Sequence, residues 1–452
     1  MKRAWLLGVL VLAGCATRLA PDLERLYLSS GAAPHQPPVI LIPGVMGSRL
    51  VDADGVEHWP GKGLRPLLAA RDGLALAVDP RTLEPMDDDL VARGLTDRVA
   101  GRDYYASIIR VLETAGRYQR GVPGTRAEPG RRYFYEFPYD WRHDNLRAVA
   151  ALDQLIEQIR IDHDDPDLQV DIIAHSMGGL VARYYMRYGP TDVLESNDFP
   201  LTYRGEGRVR RLALLGTPNL GSVSSLHAFI VGERVGLRRI QPEVMATFPS
   251  LYQLFPHPLN DWVLSHEGEP LRRDVFDIEI WRRFEWSIFD PQVRQRIRGS
   301  FESDAEADAH LAVLEAAFYR KLERARRFVW SLTIPLDRVP WTMATFGGDC
   351  HLTPARIVVE EVRGESVVRL RPRDIRAPMP GVDYDRLMLE PGDQRVTKAS
   401  LLARETLDPA VPRHPYSFFP VAGSIFLCEG HDRLATNINF QDNLLQFLLS
   451  KD

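Results

Sequence analysis

The sequence predicts an α/β fold, with a mostly parallel central sheet, helices on both faces and a helical cap inserted above one end of the sheet. Three observations predict it. Short apolar runs alternate with amphipathic helices through the first half of the chain, the arrangement that builds parallel sheets. One such run, from Val170, turns at Ala174-His175-Ser176-Met177-Gly178 straight into helix-forming residues. From about residue 223 the alternation stops, and helical patterns take over until about 340.

The chain of 452 residues is long enough for one large core with a substantial insertion. Its formal net charge of -5 and the lack of a long basic run argue against a nucleic-acid partner. Lys2 and Arg3 are followed by an apolar run, Ala4 to Ala13, too short to span a bilayer as a helix. That run ends in Leu12-Ala13-Gly14-Cys15, which resembles the lipobox of bacterial lipoproteins. The resemblance implies that residues 1–14 are a signal peptide and that Cys15 carries lipid, anchoring the protein without a membrane span. An ordinary signal peptide with an incidental cysteine is the alternative. Ala16, where Asp would imply inner-membrane retention, points to the outer membrane, facing periplasm or surface. No later stretch is long and apolar enough for a transmembrane helix. Cys350 and Cys428 remain, either as a disulfide in an oxidising compartment or as two small buried residues.

Residues 15–36, with Pro21, Gly31 and Pro34, are expected to be a tether. Residues 37–222 form the first part of the core. Val39 to Ile42 is a buried strand, and Pro43-Gly44 with Gly47 frees the following loop for an unusual path. Residues 51–100 are a polar excursion carrying His58-Trp59-Pro60-Gly61. Tyr104 to Thr114 is a helix with Tyr104, Ile108, Val111 and Leu112 on one face. Arg132 to Phe137 is a strand leading into Pro138-Tyr139-Asp140-Trp141-Arg142. Leu146, Val149, Leu152, Ile156 and Ile159 mark an amphipathic helix. The acidic run Asp162 to Asp167 lacks metal-ligand spacing and is a solvated turn.

A strand, a helix ending at Gly189-Pro190, and a strand from Val209 to Leu215 follow. Residues 223–340 are the cap, with a capping box at Ser303-Asp-Ala-Glu306 and a long helix lined by Leu311, Leu314, Phe318 and Leu322. Its aromatics Trp281, Phe284, Trp286 and Phe289 either pack inside the cap or form an exposed patch that receives lipid. Residues 341–452 complete the core: Trp341 to Phe346 resumes the sheet, Ile357 to Val362 and Val367 to Leu370 form a hairpin, Ser424 to Leu427 is the last strand, and Asn437 to Leu449 is the final helix.

A strand that turns sharply into a helix at a serine holds the hydroxyl exposed above the sheet. Small residues are needed two positions either side, where strand and helix pass closely; Ala174 and Gly178 meet that need. A serine hydroxyl needs a base to become a nucleophile, and the base needs a carboxylate to fix its tautomer. In this architecture the chain order is serine, acid, histidine. His431, in the loop after the last strand, is the base, with His414 as the alternative. Asp393, in Pro391-Gly-Asp-Gln-Arg-Val-Thr397, is the acid, with Asp349 as its competitor. The backbone amides of Val45, in the loop after the first strand, and Met177 are the candidate oxyanion donors. This chemistry requires no cofactor and no metal.

These segments together resemble the lecithin:cholesterol acyltransferase family. They are Pro38-Val-Ile-Leu-Ile-Pro-Gly-Val-Met-Gly-Ser48, Pro138-Tyr-Asp-Trp-Arg142, Ala174-His-Ser-Met-Gly-Gly179, Leu215-Gly-Thr-Pro218, Gly392-Asp393 with Val396, and His431. The resemblance implies an α/β-hydrolase fold and a Ser176–Asp393–His431 triad. It also implies acyl transfer from, or hydrolysis of, phospholipids and related lipids, with membrane lipids as both substrate and surface. Ala174 stands where the family has glycine, and Gln394-Arg395 where small residues are common. Two other readings compete: an esterase, thioesterase or amidase on a non-lipid substrate, and a catalytically silent lipid-binding envelope lipoprotein.

Overall fold

A computed structural model describes residues 21–29, 36–61, 71–99 and 102–450. Among these residues, seven strands form the main sheet: β1 (Val39–Ile42), β2 (Tyr118–Arg120), β3 (Arg132–Glu136), β4 (Val170–His175), β5 (Val209–Leu215), β6 (Thr342–Gly348) and β7 (Gly423–Leu427). Their spatial order is β7-β6-β5-β4-β1-β3-β2. Every neighbouring pair runs parallel. An all-parallel sheet must be covered on both faces, and its strands are accordingly apolar in both registers. Ile40, Ile42, Ile172, Ala174, Leu212 and Leu214 belong to one core cluster, while Val39, Leu41, Ile173, Ala213, Leu215 and Phe346 belong to another.

The flanking helices are α1 (Ala106–Glu113), α2 (Asn145–Asp162), α3 (Met177–Tyr188) and α6 (Ile438–Leu449). On one face α2 and α3 contribute Val149, Leu152, Ile156 and Val181. On the other, α1 and α6 contribute Ile108, Leu112, Phe440 and Leu444. The apolar periodicity of each helix thus selects its side of the sheet. Asp144 caps α2 and Asn437 caps α6, each accepting hydrogen bonds from first-turn amides. Helix α1 starts at Ala106, so Tyr104 precedes it rather than lying on its face. The acidic turn after α2 spends its carboxylates locally: Asp162 accepts from the Gly124 amide, and Asp165 from the amide of Asp167.

Between β5 and β6 the chain builds helices α4 (Val223–Val231) and α5 (Asp304–Ser331), with shorter helices between them. The Ser303 hydroxyl accepts from the Glu306 amide, as the capping box requires. Trp281, Trp286 and Phe289 are buried. Trp281 lies 5.1 Å from Phe318, 5.4 Å from Phe255 and 5.6 Å from Phe229, ring centre to ring centre. Trp281, Trp286 and Phe289 pack inside the cap, and Phe284 is half-buried, stacked on Trp286 at 5.5 Å; the packed alternative holds for the buried three. Buried aromatic faces gain more from each other than from water, and an indole N–H accepts burial when it has a partner; here it is the Val275 carbonyl at 2.7 Å.

Two segments differ from expectation. The hairpin of Ile357–Val362 and Glu365–Arg369 joins Val263–Leu264 of the cap instead of the main sheet. Within the segment expected as a tether, Leu23–Leu26 forms a helical turn. Leu23 packs with Ala115 and Leu445, and the Tyr27 hydroxyl donates to Asp442. Cys15 lies outside the described residues.

Candidate active site

The register of the sheet brings the first loop and the serine turn to one place. Ile42 pairs with Ala174, and Leu215 pairs with His175, so β1, β4 and β5 end side by side. Ser176 sits immediately after β4 with φ 53° and ψ -123°, a left-handed conformation that a non-glycine residue adopts only where its surroundings impose it. Its amide donates to the Leu215 carbonyl at 2.8 Å, which fixes the turn to the neighbouring strand. A Cβ on Gly178 would fall 2.4 Å from the Pro43 carbonyl oxygen. That position therefore has to be glycine, whereas Ala174 is accommodated fully buried.

The structure brings Ser176, His431 and Asp393 together. Ser176 Oγ is 2.9 Å from His431 Nε2, and His431 Nδ1 is 2.8 Å from Asp393 Oδ2. The His431 amide also donates to the Asp393 carbonyl at 2.8 Å, tying the base loop to the acid loop. Gly348 at the end of β6 makes room for both: a Cβ there would meet the Glu429 carbonyl oxygen at 2.3 Å and Asp393 Cβ at 2.8 Å. The two competitors lie elsewhere. Asp349 pairs with Lys398 at 2.9 Å, and His414 is exposed with Nδ1 accepting from the Tyr416 amide.

Burial alone would raise the Asp393 carboxyl, but the charge and hydrogen bond of His431 and the amides of Val396 and Arg395 bring it below its ordinary value. Oδ1 accepts those two amides at 2.7 and 3.0 Å. Burial alone would lower His431, and the charge and hydrogen bond of Asp393 outweigh it, so the imidazole is raised. The pair thus favours a carboxylate beside a histidine that readily accepts a proton. Gln394-Arg395 does not disturb this turn. Gln394 takes φ 79° and its amide donates to Thr353 Oγ1 at 2.9 Å, while Arg395 reaches out to Glu233 at 2.7 Å.

The loop after β1 is held from several sides by hydrogen bonds to its backbone. Tyr139 OH donates to the Pro43 carbonyl at 2.9 Å, and the Gly44 amide donates to Tyr105 OH at 2.9 Å. Trp59 Nε1 donates to the Met46 carbonyl at 2.8 Å, the Thr96 amide to the Gly47 carbonyl at 2.8 Å, and Trp141 Nε1 to the Ser48 carbonyl at 3.2 Å. The Pro138-Tyr-Asp-Trp-Arg142 segment is therefore a clamp on this loop. Its Arg142, fully buried, pairs with Asp88 at 2.6 Å and Asp140 at 2.7 Å and so fixes the clamp itself. Gly44 lies against the serine, where a Cβ would come 2.7 Å from Ser176 Cβ. Among the described residues, neither the Val45 amide nor the Met177 amide donates to a protein acceptor. Two uncommitted amides beside a polarised serine can receive a developing oxyanion.

Sequence reasoning missed Tyr105 and His175. Tyr105 OH is 2.8 Å from His175 Nδ1, directly behind the serine. His175 was in view as a neighbour of Ser176, but no pattern along the chain links it to Tyr105.

Among curated proteins no relative matches the chain. Residues 127–287 match the lecithin:cholesterol acyltransferase family. The match takes in β4, Ser176, α3 and the first half of the cap, a little over a third of the chain. A chain of the Tle4–Tli4 complex superposes with TM-score 0.58 at 16% identity, covering 91% of this chain and 98% of that one. EstA from Clostridium botulinum gives TM-score 0.33 at 12% identity, covering 92% and 87%. A Staphylococcus hyicus lipase gives 0.34 at 11%, covering 91% and 94%. The first likeness concerns the fold alone, and the other two are too distant to carry an argument. The fold is that of the α/β-hydrolases, and the family match supports a serine hydrolase handling lipid acyl groups.

Proposed function

We propose that this chain is a lipid O-acyltransferase or phospholipase working through Ser176, His431 and Asp393. The observation that carries the reading is the unbroken path from Ser176 Oγ through both nitrogens of His431 to Asp393 Oδ2, at 2.9 and 2.8 Å. Ser176 attacks the ester carbonyl of a phospholipid or related lipid, and its proton passes to His431 Nε2. The amides of Val45 and Met177 hold the oxyanion of the tetrahedral intermediate. As that intermediate collapses, His431 gives the proton to the leaving alcohol, and the acyl group stays on Ser176. A water or acceptor hydroxyl then gives its proton to His431 and attacks the acyl-enzyme, and as the second intermediate collapses His431 returns that proton to Ser176 Oγ, which frees the serine. Asp393 keeps the Nδ1–H tautomer and stabilises the imidazolium.

The proposal extends to location. Lipid on Cys15 would hold the enzyme at the outer membrane of a bacterial envelope, where its substrate is also the surface it sits on. Among the described residues no helix is long and apolar enough to cross a membrane.

The test is to incubate purified protein with defined phospholipids, with and without a long-chain alcohol. Fatty acid release or ester formation that vanishes in Ser176→Ala is the expected outcome. Turnover of short esters, thioesters or amides with no phospholipid consumed would move the reading to the non-lipid alternative. For the anchor, mass spectrometry of the membrane-extracted protein should find a lipidated Cys15 as first residue; an unmodified Cys15 would contradict it.

A further inference from the structure

The feature that the proposed chemistry leaves unused is the buried pair behind the nucleophile. Tyr105, the residue that caps α1, projects its hydroxyl between two elements distant in sequence. It accepts from the Gly44 amide at 2.9 Å and lies 2.8 Å from His175 Nδ1. Both residues are buried. Having accepted the Gly44 N–H, the tyrosine hydroxyl still has its one proton to give, and we assign that proton to His175 Nδ1, the ring nitrogen it faces. His175 is then neutral, with its proton on Nε2.

Three further observations give this pair a bearing on the reaction. Gly44 precedes Val45 and touches Ser176, so the hydrogen bond from its amide sets where the Val45 amide stands relative to the serine. The commitment of the Gly44 amide to Tyr105 also removes it as a competing oxyanion donor. The His175 ring lies 5.0 Å from the His431 ring, centre to centre, so a charge on His175 would oppose the imidazolium that must form on His431. Burial, with the charge on His431 second, pushes His175 down to about 3, and it stays neutral across the working range.

We infer that Tyr105 and His175 are positioning residues that lock the loop after β1 onto the serine turn and so set the oxyanion site. This inference rests on the proposed serine chemistry. The phenol is the joint: it takes the loop's amide on one side and gives its proton to the residue before the nucleophile on the other. Loss of the hydroxyl frees Gly44 to shift, and the Val45 amide with it, while leaving the triad's own hydrogen bonds intact.

The experiment compares Tyr105→Phe, His175→Leu, His175→Asn and the Tyr105→Phe/His175→Leu double variant on a chromogenic acyl ester, together with inhibition by a long-chain trifluoromethyl ketone. The hemiketal oxyanion of that inhibitor occupies the same hole as the intermediate. Tyr105→Phe is expected to lower kcat at least tenfold with KM within twofold, and to weaken the ketone by the same factor as kcat/KM. His175→Leu should do the same, the double variant should be no worse than either alone, and His175→Asn, whose side-chain oxygen can accept from Tyr105, should recover activity relative to His175→Leu. A kcat within twofold of the parent in Tyr105→Phe, or a loss of rate with unchanged ketone affinity, overturns the inference. If Tyr105→Phe does not fold, His175→Leu against His175→Asn decides instead, and equal losses in those two overturn the inference. A parent protein that takes no fluorophosphonate at Ser176 would defeat the proposed function itself; a labelled parent with an indifferent Tyr105→Phe defeats this inference alone.

Discussion

Asp393 holds His431 through two contacts, side chain to ring and carbonyl to amide, and only the first carries charge. Asp393→Asn keeps the shape and removes that charge, and an amide nitrogen facing Nδ1 favours the wrong tautomer. We expect kcat to fall by about 10⁴-fold with KM little changed, the size seen when a triad acid is neutralised. Steady-state kinetics on a soluble ester check it. The same contact governs pH dependence. His431 must be neutral to accept the serine proton, and its folded value is raised above the ordinary 6.5 by Asp393. The acid limb of kcat/KM should therefore have a midpoint above 6.5, with activity lost as pH falls through it. In Asp393→Asn the larger raising influence is gone, leaving only the Asp432 charge against burial, so the residual limb should move to lower pH. A limb that stays in place would mean that another group titrates.

Strand β7 delivers the base loop, and the acid follows Leu389–Gly392, which pairs with His351–Pro354 just beyond β6; Cys350 and Cys428 bridge the ends of β6 and β7. The bond spans 78 residues in sequence, with its Cα atoms 5.1 Å apart. Gly348 pairs with Leu427 just before it. The chain-entropy argument for a loop of this length gives about 4.5 kcal/mol. The double Cys350→Ala/Cys428→Ala variant should lose stability of that order in denaturant melts, and it should lose activity in parallel, because the bridge lies beside Gly348, Asp393 and Glu429. Elements such as β4, α2 and α6 were legible in the sequence because burial on both faces, or on one helical stripe, writes its own period into the residues. The hairpin at 357–369 was legible as a hairpin, but its partner was not. Nothing local in Val263-Leu264 announces a strand of two residues, and pairing across nearly 100 positions leaves no periodic trace.

For the molecule as a whole, the ends of the sheet strands gather Ser176, Asp393 and His431, and the segment between β5 and β6 adds to the core on one face of the sheet. The triad could be read from the chain because its order and its turn residues are dictated by the architecture. The clamp around the first loop could not be read as a clamp. Tyr105, Trp59, Thr96, Tyr139 and Trp141 come from four separate stretches, and what joins them is a shared loop in space. The cap aromatics were undecided in sequence, since a tryptophan-rich segment is compatible with lipid contact or with a core. Packed as they are, they continue the core that covers one face of the sheet. Trp281→Ala should cost about 3–5 kcal/mol by calorimetry or denaturant melts, the range for deleting a buried large aromatic. A variant as stable as the parent would mean that the ring cluster does not form in solution.

If a lipid acyl group passes through Ser176, the acyl-enzyme can be trapped there. The protein would be mixed with a defined phospholipid, quenched in acid within the first turnovers, digested and examined by mass spectrometry. One acyl chain of the donor is expected on the peptide containing Ser176, absent from Ser176→Ala and removed by added alcohol or longer incubation. Phospholipid turnover with no acylated Ser176, or with the acyl group on another residue, would contradict the proposed chemistry.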